Sequence, residues 1–193
     1  MANANIKFGL KPVRTLNGSP YNGGGNIYAV ESSDGTAIGL GDPVKLAGTG
    51  QIVNGNSYTD VIRAATGDVM IGVVVSVLPD TRDSLIYRAA STTRLVMVAD
   101  DPNLIFEIQE VSGGTAFTLN DTGLNADFVV TAGVDTNTGL SGVELNNATE
   151  ATTNTLDLKI VGLVNRPDNA IGANAKWLVR INRHLYANQV AGT

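Results

Sequence analysis

No stretch of this chain keeps apolar residues at helical spacing with capping signals at both ends, while segment after segment alternates with period two. That pattern restricts the fold to strands and turns. RLVMVADDPNLIFEIQE, residues 94–110, shows it most clearly and reads as a β-hairpin. In its second arm Leu104, Phe106 and Ile108 face one way and Ile105, Glu107 and Gln109 the other, because side chains alternate along a strand. Its Asp-Pro-Asn link suits a type I turn, with Asp first and Pro second. MIGVVVSVL, residues 70–78, is a continuous apolar run stopped by Pro79, the mark of a strand buried on both faces. Further strands are expected in DFVVTA (127–132), TLDLKIVGLV (155–164) and KWLVRINRH (176–184). A short strand follows the Gly-Asp-Pro turn of GDPVKLAG (41–48), and TGLNADF (122–128) has room for one helical turn.

The expected fold is therefore mainly β, a small barrel or sandwich body with little helix and an extended N-terminal arm. Residues 1–25 form that arm: they hold no sustained period, contain Pro12 and Pro20, and offer Ile6, Phe8, Leu10, Val13 and Tyr21 as apolar contacts. Two small β units follow, residues 26–112 with the central hairpin and 113–193 with the C-terminal strands. No internal repeat is evident.

Composition narrows the function. Of 193 residues only 16% are charged, against 43% hydrophobic, and Gly, Asn, Thr and Ser fill the difference. Free monomers rely on surface charge for solubility, so a weakly charged polar surface suits a protein covered by partners. The net charge of −5 disfavours nucleic acid, because binding a polyanion requires clustered Lys and Arg to displace counterions. The basic residues are scattered, the densest group being Lys176, Arg180 and Arg183. The absence of cysteine removes disulfide scaffolds, thiolate zinc sites and cysteine nucleophiles together. The N-terminus lacks the apolar run of a secretion signal, and no segment approaches the ~18 apolar residues of a membrane helix. A soluble protein is expected, with no membrane partner.

Candidate chemistry is thin. LNGSPYNGGGNIYAV (16–30) could be taken for a phosphate cradle, but its glycines are followed by no Lys-Ser/Thr pair and no helix. Asp100 and Asp101 are adjacent, so on a strand their side chains point to opposite faces and cannot share a proton; both read as turn formers. His184 is the single histidine and has no accompanying nucleophile motif. DTNTGLSGVE (135–144) superficially resembles a calcium loop, yet Gly139 stands where a ligand is needed. Incidental Ca²⁺ binding there is the only metal reading; no cofactor is expected. Trp177 reads as a core plug alongside Val179 and Ile181, and Arg180 and Arg183 as interface or solvent-facing residues.

Taken in order, FGLKPVRTLNGSPYNGG (8–24), SSDGTAIGLGDPVKLAG (32–48), ASTTRLVMVADDPNLIFEIQE (90–110), GLNADFVV (123–130), TGLSGVEL (138–145) and NRPDNAIGANAKWLVRINRH (165–184) resemble the capsid cement, or head decoration, proteins of tailed bacteriophages. The loop around 49–60 and the tail after Leu185 fit that pattern least. The resemblance implies a non-enzymatic virion protein, made in the bacterial host cytoplasm. It would bind the outer surface of the assembled head where major capsid subunits meet, often as a homotrimer. On this reading the capsid and subunit contacts fall to Phe8, Leu10, Pro12, Arg14 and Tyr21 of the arm and to Arg180 and Arg183. Removing the arm is then expected to abolish head binding and leave the body folded. The alternative is a receptor- or glycan-binding module, suggested by the Asn/Thr/Gly-rich stretch 111–155, whose only aromatics are Phe117 and Phe128.

Overall fold

The computed structural model describes residues 3–192. The fold is mainly β, as the alternation predicts, and its strands sort into a closed barrel and a sandwich-like second lobe. Among the described residues the one helical element is a single 3₁₀ turn, Leu119–Asp121, capped reciprocally by Thr118 and Asp121. It lies just before the TGLNADF segment, not within it.

The barrel contains β2 (Asn26–Val30), β3 (Pro43–Val53), β4 (Asn56–Arg63), β5 (Gly72–Val77) and β6 (Arg94–Ala99), in the order β2-β4-β3-β5-β6 with β6 returning to β2. Its interior is almost wholly β-branched: Val30, Ile38, Val44, Val61, Ile71, Val74, Val96 and Val98. Such side chains suit a pleated surface and fill a narrow barrel without a lumen. The strand expected at 41–48 is eleven residues long and forms a hairpin with β4. Asn54 and Gly55 both have positive φ (51° and 82°), the two-residue turn that matches strand twist.

Arg88 plugs the barrel wall with no exposed surface. Its guanidinium donates to the carbonyls of Glu31, Thr36 and Thr92, and Asp34 lies 3.7 Å away. Those partners explain how a cation stands such burial, which pulls its pKa down from the ordinary arginine value.

The second lobe is a five-stranded sheet faced by a short hairpin. The sheet runs β1 (Lys11–Thr15), β7 (Leu104–Gln109), β12 (Lys176–Ile181), β11 (Leu158–Leu163), β8 (Asn125–Ala126). The hairpin is β9 (Phe128–Ala132) with β10 (Gly142–Leu145). Phe106, Phe117, Phe128, Leu145, Ile160, Trp177 and Val179 fill the space between them. Trp177 is fully buried, meets Phe117 edge-on at 5.8 Å and donates its indole N–H to Glu110 at 2.7 Å.

Three expectations change. The 94–110 segment is not a hairpin. Its turn forms, with Leu104 N–H bonded to Asp101 O at 3.1 Å, but β6 pairs with β2 and β5 while β7 pairs with β1 and β12. Barrel closure uses both edges of β6, so none is left for β7. The division between lobes accordingly falls at residues 100–103, and β7 belongs with the C-terminal strands, not with residues 26–112. Nor is the N-terminal stretch an arm set apart from the body: it supplies β1, an edge strand of the second sheet. Its edge is partly covered in turn by residues 19–21, through Thr15 N–H to Ser19 O and Tyr21 N–H to Val13 O.

The run at 70–78 is a strand buried on both faces, and the seam between the lobes supplies the reason. Val73 and Val75 pack into the sandwich core, Val74 and Val77 into the barrel core.

Candidate interaction surface

Residues 3–10 form a strap across the second lobe, held largely by polar contacts. Asn3 exchanges hydrogen bonds with the backbone of Ala170 at 2.8 and 2.9 Å. Lys176 Nζ donates to Ala4 O at 2.6 Å, and Ile6 N–H donates to Gln109 Oε1 at 2.9 Å. Lys7 pairs with the buried Glu144 at 3.0 Å, and Gln109 donates to the other oxygen of Glu144 at 2.7 Å. The strap ends on the barrel, where Leu10 N–H donates to Gly41 O at 2.9 Å. Gly9 and Gly41 make this crossing possible: a Cβ on Gly41 would sit 2.3 Å from Phe8 O, and one on Gly9 would sit 2.4 Å from Gly41 O. Both also have positive φ, so each position favours glycine twice over.

Beside the crossing lies an apolar groove of about 350 Å³ lined by Phe8, Leu10, Pro12, Tyr21, Val75 and Leu140. A second, more polar groove of about 580 Å³ follows the strap past Ile6 and Phe8 to Glu107, Arg166 and Lys176. There Arg166 holds Glu107 with two guanidinium nitrogens, at 2.9 and 3.1 Å. Burial and then the neighbouring Arg166 lower the Lys176 pKa from its ordinary value.

Of the residues singled out from the sequence, Phe8, Leu10, Pro12 and Tyr21 share the apolar groove. Leu10 is only 1% exposed, so it builds the groove floor and presents little surface of its own. Tyr21 is half-buried, donates its hydroxyl to Gly24 O at 2.7 Å and has its pKa raised by burial and by Asp100. Arg14 lies past a bulge on β1, opposite Ile105 and outside the groove lining. Arg180 and Arg183 are not brought to it either. Arg180 Nε donates to Pro102 O at 2.8 Å, bracing the inter-lobe turn, and Arg183 Nη1 donates to Thr155 O at 2.9 Å. Each arginine thus spends one guanidinium nitrogen on an intramolecular bond.

Asp100 and Asp101 act as turn residues. Asp100 accepts from Asn26 and from Tyr28, each at 2.8 Å, and Asp101 accepts from Asn103 N–H at 2.8 Å. Burial, followed by the Asp100 hydrogen bond, raises the Tyr28 pKa. His184 is buried, which lowers its pKa; its Nδ1 accepts from Tyr186 N–H at 3.1 Å. Among the described residues no three His, Cys, Asp or Glu side chains gather as a metal site. Phe117 and Phe128 are both buried, so the 111–155 stretch presents no aromatic platform for stacking a sugar.

Two exposed features went unread in the sequence. Ile52, 74% exposed, stands on the β3–β4 hairpin next to the Asn54–Gly55 turn. The turn dipeptide was the available signal. Leu16, more than half exposed, directly follows β1. Its exposure depends on how the chain runs after that strand, which alternation does not encode. Comparison with protein-family models, curated proteins and solved structures found no match to this chain.

Proposed function

We propose that this chain is a capsid cement protein that binds the outer surface of a bacteriophage head as a homotrimer, tying neighbouring major capsid subunits together. The observation that supports this reading best is the strap-and-groove face, where Phe8, Pro12 and Tyr21 line an apolar recess. A cement protein works through contact area distributed over many copies, and a rigid β body limits the entropy lost on docking. The partner in this reading is an apolar segment of the major capsid subunit laid into the groove. The sequence motifs resembling head decoration proteins point the same way.

The test is to add the purified protein to heads assembled without it and locate its density by reconstruction. Saturable occupancy on the outer surface at subunit junctions is the expected result, weakened roughly tenfold or more by the double substitution Phe8→Ala and Tyr21→Ala. Absence of binding to intact heads, or occupancy indifferent to those substitutions, overturns the proposal or its contact face respectively. Sedimentation of the free protein tests the trimer: a monomer at high concentration removes it.

A further inference from the structure

The two lobes meet at a buried carboxylate that belongs to one and is capped by the other. Asp157, immediately before β11, has no exposed surface, and both its oxygens accept from the Gly67 N–H of the barrel's β4–β5 loop at 3.1 Å. The same loop is held at its ends. Thr66 Oγ1 donates to Phe128 O at 2.9 Å, Met70 N–H to Arg183 O at 2.8 Å, and Leu185 N–H to Met70 O at 2.8 Å.

The charges around Asp157 do not balance. Asp127, between β8 and β9, accepts from Asp157 N–H at 3.2 Å, and its carboxylate lies near enough to interact with that of Asp157. From the barrel, Asp68 follows Gly67 directly but is paired with Lys45 at 2.8 Å and with Ala65 N–H at 2.8 Å. From the end of β12, Arg183 attracts both Asp157 and Asp68 while its Nη1 is bonded to Thr155 O. Three carboxylates thus face two cations, and one cation is spent on Asp68.

We propose that Asp157 and Asp127 form a proton-operated latch between the lobes, in which a proton held on the pair keeps the 64–70 loop of the barrel seated on the second lobe. With the proton present, one carboxyl donates to the other, and Asp157 still accepts from Gly67. When it leaves, two adjacent carboxylates repel at the buried seam and the loop contact loosens. Burial pushes the Asp157 carboxyl upward; the Gly67 amide opposes this and Asp127 reinforces it, with the balance upward. A carboxyl raised on folding contributes stability that is complete below its unfolded pKa and is lost as pH climbs through the folded value. The latch therefore holds in acid and slackens towards neutral and alkaline pH.

Amide exchange of the full chain, read by mass spectrometry on peptides spanning 64–70 and 183–185, tests this from about pH 5 to about pH 8.5, corrected for intrinsic exchange. In the wild type, protection of these peptides falls about tenfold or more across the range, while peptides of β2 and β6 change far less. Asp157→Asn keeps an acceptor for Gly67 and removes this titration, so in a Glu110→Gln background, which takes out the other raised carboxyl of the second lobe, its profile is flat. Asp127→Asn flattens it too and carries the test if Asp157→Asn does not fold. Asp68→Asn leaves the slope in place. A flat wild-type profile, or a slope that survives both Asp127→Asn and Asp157→Asn, overturns the latch.

Discussion

The barrel and the second lobe solve the same problem, a β core without helices, in opposite ways. The barrel draws all its strands from residues 26–99, closes on itself and is packed with valine and isoleucine. Closure leaves it no open sheet edge. The second lobe gathers β1 from the N-terminus and β12 from the far end of the chain around β7, and fills its space with Trp177 and three phenylalanines. Its sheet has edges, which are short or covered by the 19–21 turn and by Ala151 bridging Asn125. A locally built barrel tolerates small uniform residues because geometry sets its volume. A sheet assembled from distant segments needs large aromatic side chains to span the gap to its facing hairpin.

The comparison breaks most visibly at its two largest buried groups. Trp177→Ala is expected to destabilise the second lobe by about 3–5 kcal/mol, since it opens a cavity and strips Glu110 of its indole donor. Arg88→Ala should cost the barrel about as much, by leaving the carbonyls of Glu31, Thr36 and Thr92 and the Asp34 carboxylate without their cation. Urea unfolding followed by far-UV dichroism in both variants, and by Trp177 fluorescence in Arg88→Ala, separates the two. If both variants shift one shared transition equally, the lobes unfold as a unit.

Gly41→Ala comes next, at about 2–3 kcal/mol, from a left-handed backbone and a Cβ driven against Phe8 O. Its effect should fall on the strap, visible as increased proteolysis before Leu10. Intact resistance there would mean the strap is held by its polar ties alone.

The pH response belongs to the second lobe. Glu110 is fully buried and its carboxyl is pushed up to about 7 by desolvation, against hydrogen bonds from Trp177, Phe117 and Asn147 that favour the charged form. The sign follows: the protonated form adds stability that is complete below the ordinary glutamate pKa and is lost as pH rises through about 7. The loss is on the order of 2 kcal/mol, and Glu110→Gln should remove that slope from a plot of the urea midpoint against pH. An unchanged slope would assign it to Asp157 alone. The smallest effect is expected from Lys45→Met. The Lys45–Asp68 pair is partly exposed at both ends, so its loss costs less than about 1 kcal/mol and fades in salt.

Much of the local structure is legible along the chain. The alternation at 155–164 and 176–184, the apolar run at 70–78, the Asp101–Leu104 turn and the burial of Trp177 all stand where the sequence puts them. Groove residues Phe8, Pro12 and Tyr21 were also recognisable as apolar contacts, but not that they would line one recess. The tie from Arg180 to Pro102 O was not legible, since the two lie 78 residues apart in sequence. The strap was misjudged for the same reason: Asn3 meets Ala170 and Leu10 meets Gly41.

The sequence by itself determined that this chain is built from strands and where most of those strands run, since period-two alternation and turn residues act over a few positions. Only the tertiary structure decided which strand pairs with which. Residues 94–110 carry every local mark of a hairpin, yet the two arms part into different lobes. Backbone hydrogen-bonding edges are chemically alike, so the choice of partner rests on barrel closure, core volume and long-range packing, and none of these is written in the short stretch that joins them.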